Sequence, residues 1–346
     1  MTEVELTEPV DLCDERGRLS PAARGWSRRP LHRTNLRGAV GRKKRWDYWC
    51  VTAPDLIVAV TYADVDYLGI ANVWVLQPST GVEVLVDRSL PLAVGFALPD
   101  VMEQGTMRGG SRGMHLEIAE RPEHTAIRVT AASTAHGPLD VDLVVARPAG
   151  HESLNVVIPW SERRFQFTTK ANLRPVTGTV RLGDTLHELG PESGAFGALD
   201  VGRGIWKYSN RWNWASASGA ATDGRPVGLQ FGGKWTVGTG YTENALCVGE
   251  PGGVGGRLHK IHDELDWAYD WDDPLRPWRV RDTVSGRVDA TLTPFHDRYS
   301  RVSVGVLSME VHQCFGTWSG TVVTDDGETV AFDGILGFAE EARNRW

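Results

Sequence analysis

From about Trp46 onward the chain alternates apolar and polar residues with a period of two, and long segments of helical period are nearly absent. Ile127-Arg-Val129, Leu139-Asp-Val141-Asp-Leu143, Phe165-Gln-Phe167 and Val302-Ser-Val304-Gly-Val306 each put apolar side chains on one face of an extended segment. Such strands have one covered and one wetter face, as antiparallel sheets do. Turn signals separate them, among them Ser79-Thr-Gly81, Thr222-Asp-Gly224 and Asp325-Asp-Gly327. The last lies between Gly320-Thr-Val-Val and Thr329-Val-Ala-Phe and reads as a hairpin. Strands this short and numerous need closure or sandwiching to hide their edges. The expectation is an all-β chain of two antiparallel barrels or sandwiches. A short C-terminal helix is expected over 338–344 (FAEEARN), and a short turn near Pro21 to Arg24.

At 346 residues the chain is long enough for two units of ordinary size. An internal echo suggests where they divide, since Arg45-Trp-Asp-Tyr-Trp49 opens one strand series and Arg211-Trp-Asn-Trp214 another. The expected division is an N-terminal arm over 1–29, a first barrel-like domain over 30–185 and a second over 186–346. A net charge of −7 argues against nucleic acid as a partner. The basic run from Arg24 to Arg45 reads as an arm packed on an acidic body, with contact to an anionic membrane surface through residues 24–45 as the rival reading. The four cysteines are far apart and form no C-x-x-C pair, so no metal site is expected. Neither G-x-G-x-x-G nor G-K-S/T occurs, so no nucleotide cofactor is expected. An acidic N-terminus, and no apolar run near the ~18 residues of a membrane span, lead to the expectation of a soluble, cytoplasmic protein with reduced thiols.

Residues 194–278 concentrate the chemistry. Seven of the fourteen tryptophans fall here, interleaved with glycines and acids. Indoles bring large apolar area with one N–H donor, so a group of them lines a core or a pocket. Carboxyls beside such rings are candidates for shifted pKa and proton transfer. The candidate acids are Asp200, Glu243 and Asp263. The candidate ligand-binding residues are Arg203, Trp206, Trp212, Trp214, Trp235, Asn244, Trp267 and Trp271. Asp200 and Arg203 form a possible charged pair that either fixes a loop or grips a polar group. Around Trp267 and Trp271, Asp263 to Asp273 read either as exposed turn-forming acids or as ligand-orienting carboxylates.

Arg45-Trp-Asp-Tyr-Trp49, Asp200-x-Gly-Arg-Gly204, Trp212-Asn-Trp214, Thr242-Glu-Asn-Ala245 and the Asp263–Trp278 segment together resemble the bacterial family called domain of unknown function 2804, over residues 10 to 340. More distantly, the early W-x-x-W strand and the later W-x-W strand resemble two-barrel calycin-like proteins: carotenoid hydratases, tocopherol cyclases and lipocalin-like cyclases. That resemblance implies an enclosed small, largely apolar molecule in a Trp-lined cavity, and hydratase, cyclase or isomerase chemistry driven by an acid. Two alternatives stand beside it. Trp faces with paired carboxylates also suit a glycosidase-like enzyme, and a cavity without a buried acid suits a lipid or isoprenoid carrier.

Overall fold

The structure, a computed structural model, describes residues 3–345. It is built from strands, with two single-turn 3-10 segments, Pro21–Ala23 and Pro191–Ser193. A thirteen-strand sheet runs in the order Val82–Pro91, Leu68–Gln77, Leu56–Asp64, Lys43–Ala53, Phe196–Ile205, Arg164–Leu182, Gly137–Ala146, His124–Thr134, Met114–Glu120 and Thr106–Ser111, with three short strands off this path. Its two end strands lie against each other, so the sheet forms a nearly closed barrel that leaves little free edge. The second sheet has nine strands and forms a half-barrel. Its centre is Pro226–Gly233, Ser209–Ala220, Thr329–Arg345, Leu307–Val323 and Val288–Val304. The chain passes from the first sheet to the second between Ile205 and Ser209. The strand Phe196–Ile205, on the far side of the division expected at 185/186, therefore hydrogen-bonds within the first sheet, between Lys43–Ala53 and Arg164–Leu182.

Alternation along these strands decides what each side chain meets. Trp49, Leu199, Val201, Phe165 and Phe167 fill the barrel. Their sequence neighbours Tyr48, Asp200, Gln166, Thr168 and Lys170 point out of it. In the half-barrel, Ala215, Ala217, Cys314 and Ala339 belong to its own core. Trp214, Phe315 and Phe338 turn the other way and pack against Cys50, Ile57, Ala59 and Trp74 of the first sheet. The two sheets thus meet face to face, and the polar residues of both meeting faces are buried with them.

The expected helix over 338–344 is not formed. Phe338 to Asn344 lies in the strand Thr329–Arg345, paired with Ser209–Ala220 on one side and Leu307–Val323 on the other. Ala, Glu and Arg favour a helix in isolation, but ladders on both edges and burial of both faces override that preference. The hairpin at Asp325-Asp-Gly327 is present, with Val323 opposite Thr329 and Gly327 at φ +82°. Val302, Val304 and Val306 do lie in or beside strands, yet no core covers them.

The basic run packs on acids. Arg28 pairs with Glu5 and Glu152, Arg33 with Asp11, and Lys43 with Asp66. The N-terminal arm is also fixed. Trp26–Ser27 adds to the first sheet beside Leu154–Ser161, and Glu3 is buried against Lys260 at 2.9 Å. Among the described residues, no helix is long and apolar enough to cross a membrane.

Candidate functional site

The site lies where the two sheets meet. Asp200 projects from the middle of its strand. Its Oδ1 accepts from Lys170 Nζ at 2.8 Å and from Thr168 Oγ1 at 3.3 Å, and its Oδ2 accepts from Trp46 Nε1 at 3.1 Å. Register explains the grouping: Asp200 stands opposite Lys170, and Gly202 stands opposite both Thr168 and Trp46. The Lys170 ammonium lies 4.2 Å from the centroid of the Trp214 ring and 4.0 Å from Glu243 Oε2. On the half-barrel side, Glu340 accepts from Trp212 Nε1 at 2.8 Å and Gln313 Nε2 at 3.0 Å. One buried ammonium therefore faces three carboxyls, those of Asp200, Glu243 and Glu340.

Burial decides the protonation of the two glutamates. Burial pushes the Glu243 carboxyl up to about 8, with Lys170 opposing and Asp200 adding to the rise. Burial also pushes Glu340 up to about 7, against the Trp212 N–H and the Lys170 charge. The indole N–H of the neighbouring Trp235 is directed at the Glu243 carboxyl and opposes its rise, although neither Glu243 Oε1 nor Trp235 Nε1 has a partner of full hydrogen-bond geometry among the described residues.

The tryptophans form one cluster around Trp206. Its ring centroid is 5.2 Å from those of Trp160 and Trp235, 5.3 Å from Trp46 and 5.7 Å from Trp212. Its N–H donates to Gln166 Oε1 at 2.7 Å. Trp206 and Trp235 are buried, whereas Trp46, Trp160 and Trp212 are half-buried and form the rim. The rings touch one another rather than standing back around an empty hollow. Glycines make this approach possible. A Cβ at Gly202 would lie 2.2 Å from the Trp46 ring, and one at Gly232 would lie 2.7 Å from Glu243 Cβ.

Of the residues singled out from the sequence, Asp200, Glu243, Trp206, Trp212, Trp214 and Trp235 converge here. Arg203 does not pair with Asp200. Three positions along a strand place them on opposite faces, and Arg203 Nη2 instead donates to Asp47 Oδ1 at 2.5 Å on the barrel side. Asn244 spends its amide on main chain, accepting from Gly232 N at 2.8 Å and donating to the Asp263 carbonyl at 2.9 Å. Asp263 enters through that carbonyl. Trp267 packs on the half-barrel's own core. Trp271 meets His312 edge-on and lies under the Arg343 guanidinium. Lys170, Glu340, Trp46, Trp160 and Gln166 were not singled out. For Lys170 a signal existed, a lone lysine inside the alternating run Phe165 to Leu173; Glu340 was hidden by reading its segment as a helix.

The raised Glu243 pKa has a defined effect on stability. Below the ordinary value of 4.5 the carboxyl is protonated whether folded or not, and its stabilising effect is complete. As pH rises from 4.5 towards about 8, the unfolded chain ionises while the folded chain cannot, so stability drains away across that window. Glu243→Gln removes the slope. Chemical denaturation is expected to show variant and wild type drawing together near the acid end and the variant gaining towards the alkaline end. Parallel curves across the window would mean that Glu243 is not held neutral.

The fold and site define an all-β, two-sheet protein with a carboxyl-rich, Trp-walled contact between its sheets. The family model described as "Domain of unknown function (DUF2804)" matches residues 3–346, and the chain belongs to that family. No curated protein matches it by sequence. Among solved structures it is similar to kievitone hydratase from Nectria haematococca, at 10% identity and TM-score 0.46 over 89% of this chain and 90% of that one. It is also similar to CghA with Sch210972, at 15% identity and TM-score 0.43 over 88% of each chain. A protein described as AttH from Nitrosomonas europaea aligns at 14% identity and TM-score 0.44, over 87% of this chain and 92% of that one.

Proposed function

We propose that the chain takes a small, largely apolar molecule between its two sheets and moves a proton to or from it, with Glu243 as the acid. The observation that carries this is the fully buried Glu243 carboxyl, which burial pushes up to about 8 and which lies beside the Trp235 indole of the Trp cluster. A neutral acid in a dry, ring-walled place is a proton donor waiting for an acceptor. Asp200 is engaged by Lys170 and Trp46, so it serves as the fixed counter-charge. Because the rings touch one another, a guest reaching Trp206 and Trp235 has to part the half-buried rings of Trp46, Trp160 and Trp212. Buried ionisable groups in the same place favour an enzyme over a passive carrier.

Native mass spectrometry followed by solvent extraction, on wild type and Glu243→Gln purified from the protein's own host, tests this. Both are expected to retain an apolar molecule, with the two retained molecules differing by an isomerisation or by one water. A sugar in the extract overturns the apolar guest. The same molecule in both proteins overturns the proton transfer and leaves a carrier.

A further inference from the structure

At the end of the half-barrel where Ser209–Ala220 begins and Thr329–Arg345 ends, a groove of about 330 Å³ is lined by Arg211, Arg301, Arg343 and Arg345, with Glu310 as the one acid among its lining residues. The pairing register builds it: Arg211 stands beside Arg343, Arg343 beside Glu310, and Glu310 beside Arg301, in one row across four strands. In a chain of net charge −7 this is a cationic patch; Arg211 and Arg343 are also paired with Glu341, so its surplus positive charge rests on Arg301 and Arg345. Beside it, the hairpin joining Val288–Val304 to Leu307–Val323 ends in Val302, Val304 and Val306, which are 53%, 67% and 74% exposed. The tip is held in place, since Tyr208 donates its hydroxyl to the Val306 carbonyl. Arg42 lies over the Tyr208 ring, and Lys207 lies over the ring of Trp160 at the rim of the Trp cluster.

We infer that this end of the half-barrel docks on an anionic lipid bilayer, with the valine tip entering the interface and the arginine groove receiving lipid phosphates. An exposed apolar tip has no favourable partner in water, and a flanking row of guanidiniums complements a surface of phosphates. Arginine's planar fork suits phosphate oxygens bidentately. The combination of apolar insertion and charge attraction is what holds peripheral proteins to membranes, and its charge part weakens as salt rises. The docking surface stands whether or not the Trp cluster handles a lipid. It does place the rim of that cluster near the membrane.

The test is vesicle flotation of the full chain with phosphatidylcholine alone and with phosphatidylcholine mixed with phosphatidylglycerol, at low and high salt. Binding is expected to the mixed vesicles, and to fall with salt. The double change Arg301→Ala and Arg345→Ala is expected to weaken it by about tenfold or more, because each surface cation contributes several-fold to partitioning. Val304→Asp is expected to abolish it while leaving the melting temperature unchanged, because Val304 is exposed. Equal binding to both vesicle types, or full binding by Val304→Asp, overturns the inference. So does a response to inorganic phosphate without vesicle binding, which would make the groove a site for a soluble anion. A dimer on size exclusion that Val304→Asp dissolves also overturns it, by giving the tip to a second copy of the chain.

Discussion

Lys170→Met is expected to destabilise the fold by about 3–5 kcal/mol, the usual cost of removing one partner from a buried charge pair. Its ammonium is 5% exposed and is the cation that contacts Asp200 and approaches Glu243. Without it, Asp200 keeps only the Trp46 N–H and the Thr168 hydroxyl. The loss should be strongly coupled to Asp200. In the double change Lys170→Met with Asp200→Asn, much of the damage should disappear, because the stranded charge is gone. Guanidinium denaturation of the two single variants and the double variant measures this. A single variant within about 1 kcal/mol of wild type would show that the carboxyls do not depend on that ammonium.

Trp206→Ala is expected to cost a comparable amount, about 3–5 kcal/mol, as deletion of a fully buried aromatic ring does. The ring is 1% exposed and touches Trp46, Trp160, Trp212 and Trp235. Its removal opens a cavity among the remaining rings and takes the N–H donor from Gln166 Oε1. A second effect separates this site from an ordinary core position. If the ring is the floor on which a guest rests, the variant should also lose any co-purifying molecule, whereas Trp318→Ala in the half-barrel core should keep it. Equal retention by the two variants would move the guest elsewhere.

The fold class was legible because the alternation was strong. Ile127, Val129, Leu139, Val141 and Leu143 are all buried, with exposed Arg128, Asp140 and Asp142 between them. The convergence of Asp200, Glu243 and the central tryptophans was legible as composition in one stretch of chain. Their partners were not. Lys170 comes from a strand thirty positions before Asp200 and meets Glu243 across the gap between two sheets, and local periodicity carries no information on which sheet faces which. Arg203 illustrates the opposite failure, since proximity in sequence suggested a pair that strand geometry forbids. Phe338 to Asn344 shows propensity losing to two-sided pairing.

Two adjacent glutamates on the last strand give that strand an unusual intolerance. Glu340 turns towards the first sheet and is pushed up to about 7 by burial. Glu341 turns into the half-barrel, where burial alone would raise it. There Arg211, Tyr269, Lys234 and Arg343 prevail and hold it down to about 2. Losing one residue between Thr329 and Phe338 would bring Glu341 to the place of Glu340 and Ala342 to that of Glu341, leaving Arg211 and Lys234 without their carboxylate; gaining one would bring Ala339 to the place of Glu340, leaving the Trp212 and Gln313 N–H groups without their acceptor. Changes of length are therefore tolerable at the hairpin turn, outside the paired segment, whereas a single-residue indel within it would strip one of the two faces of its buried carboxyl.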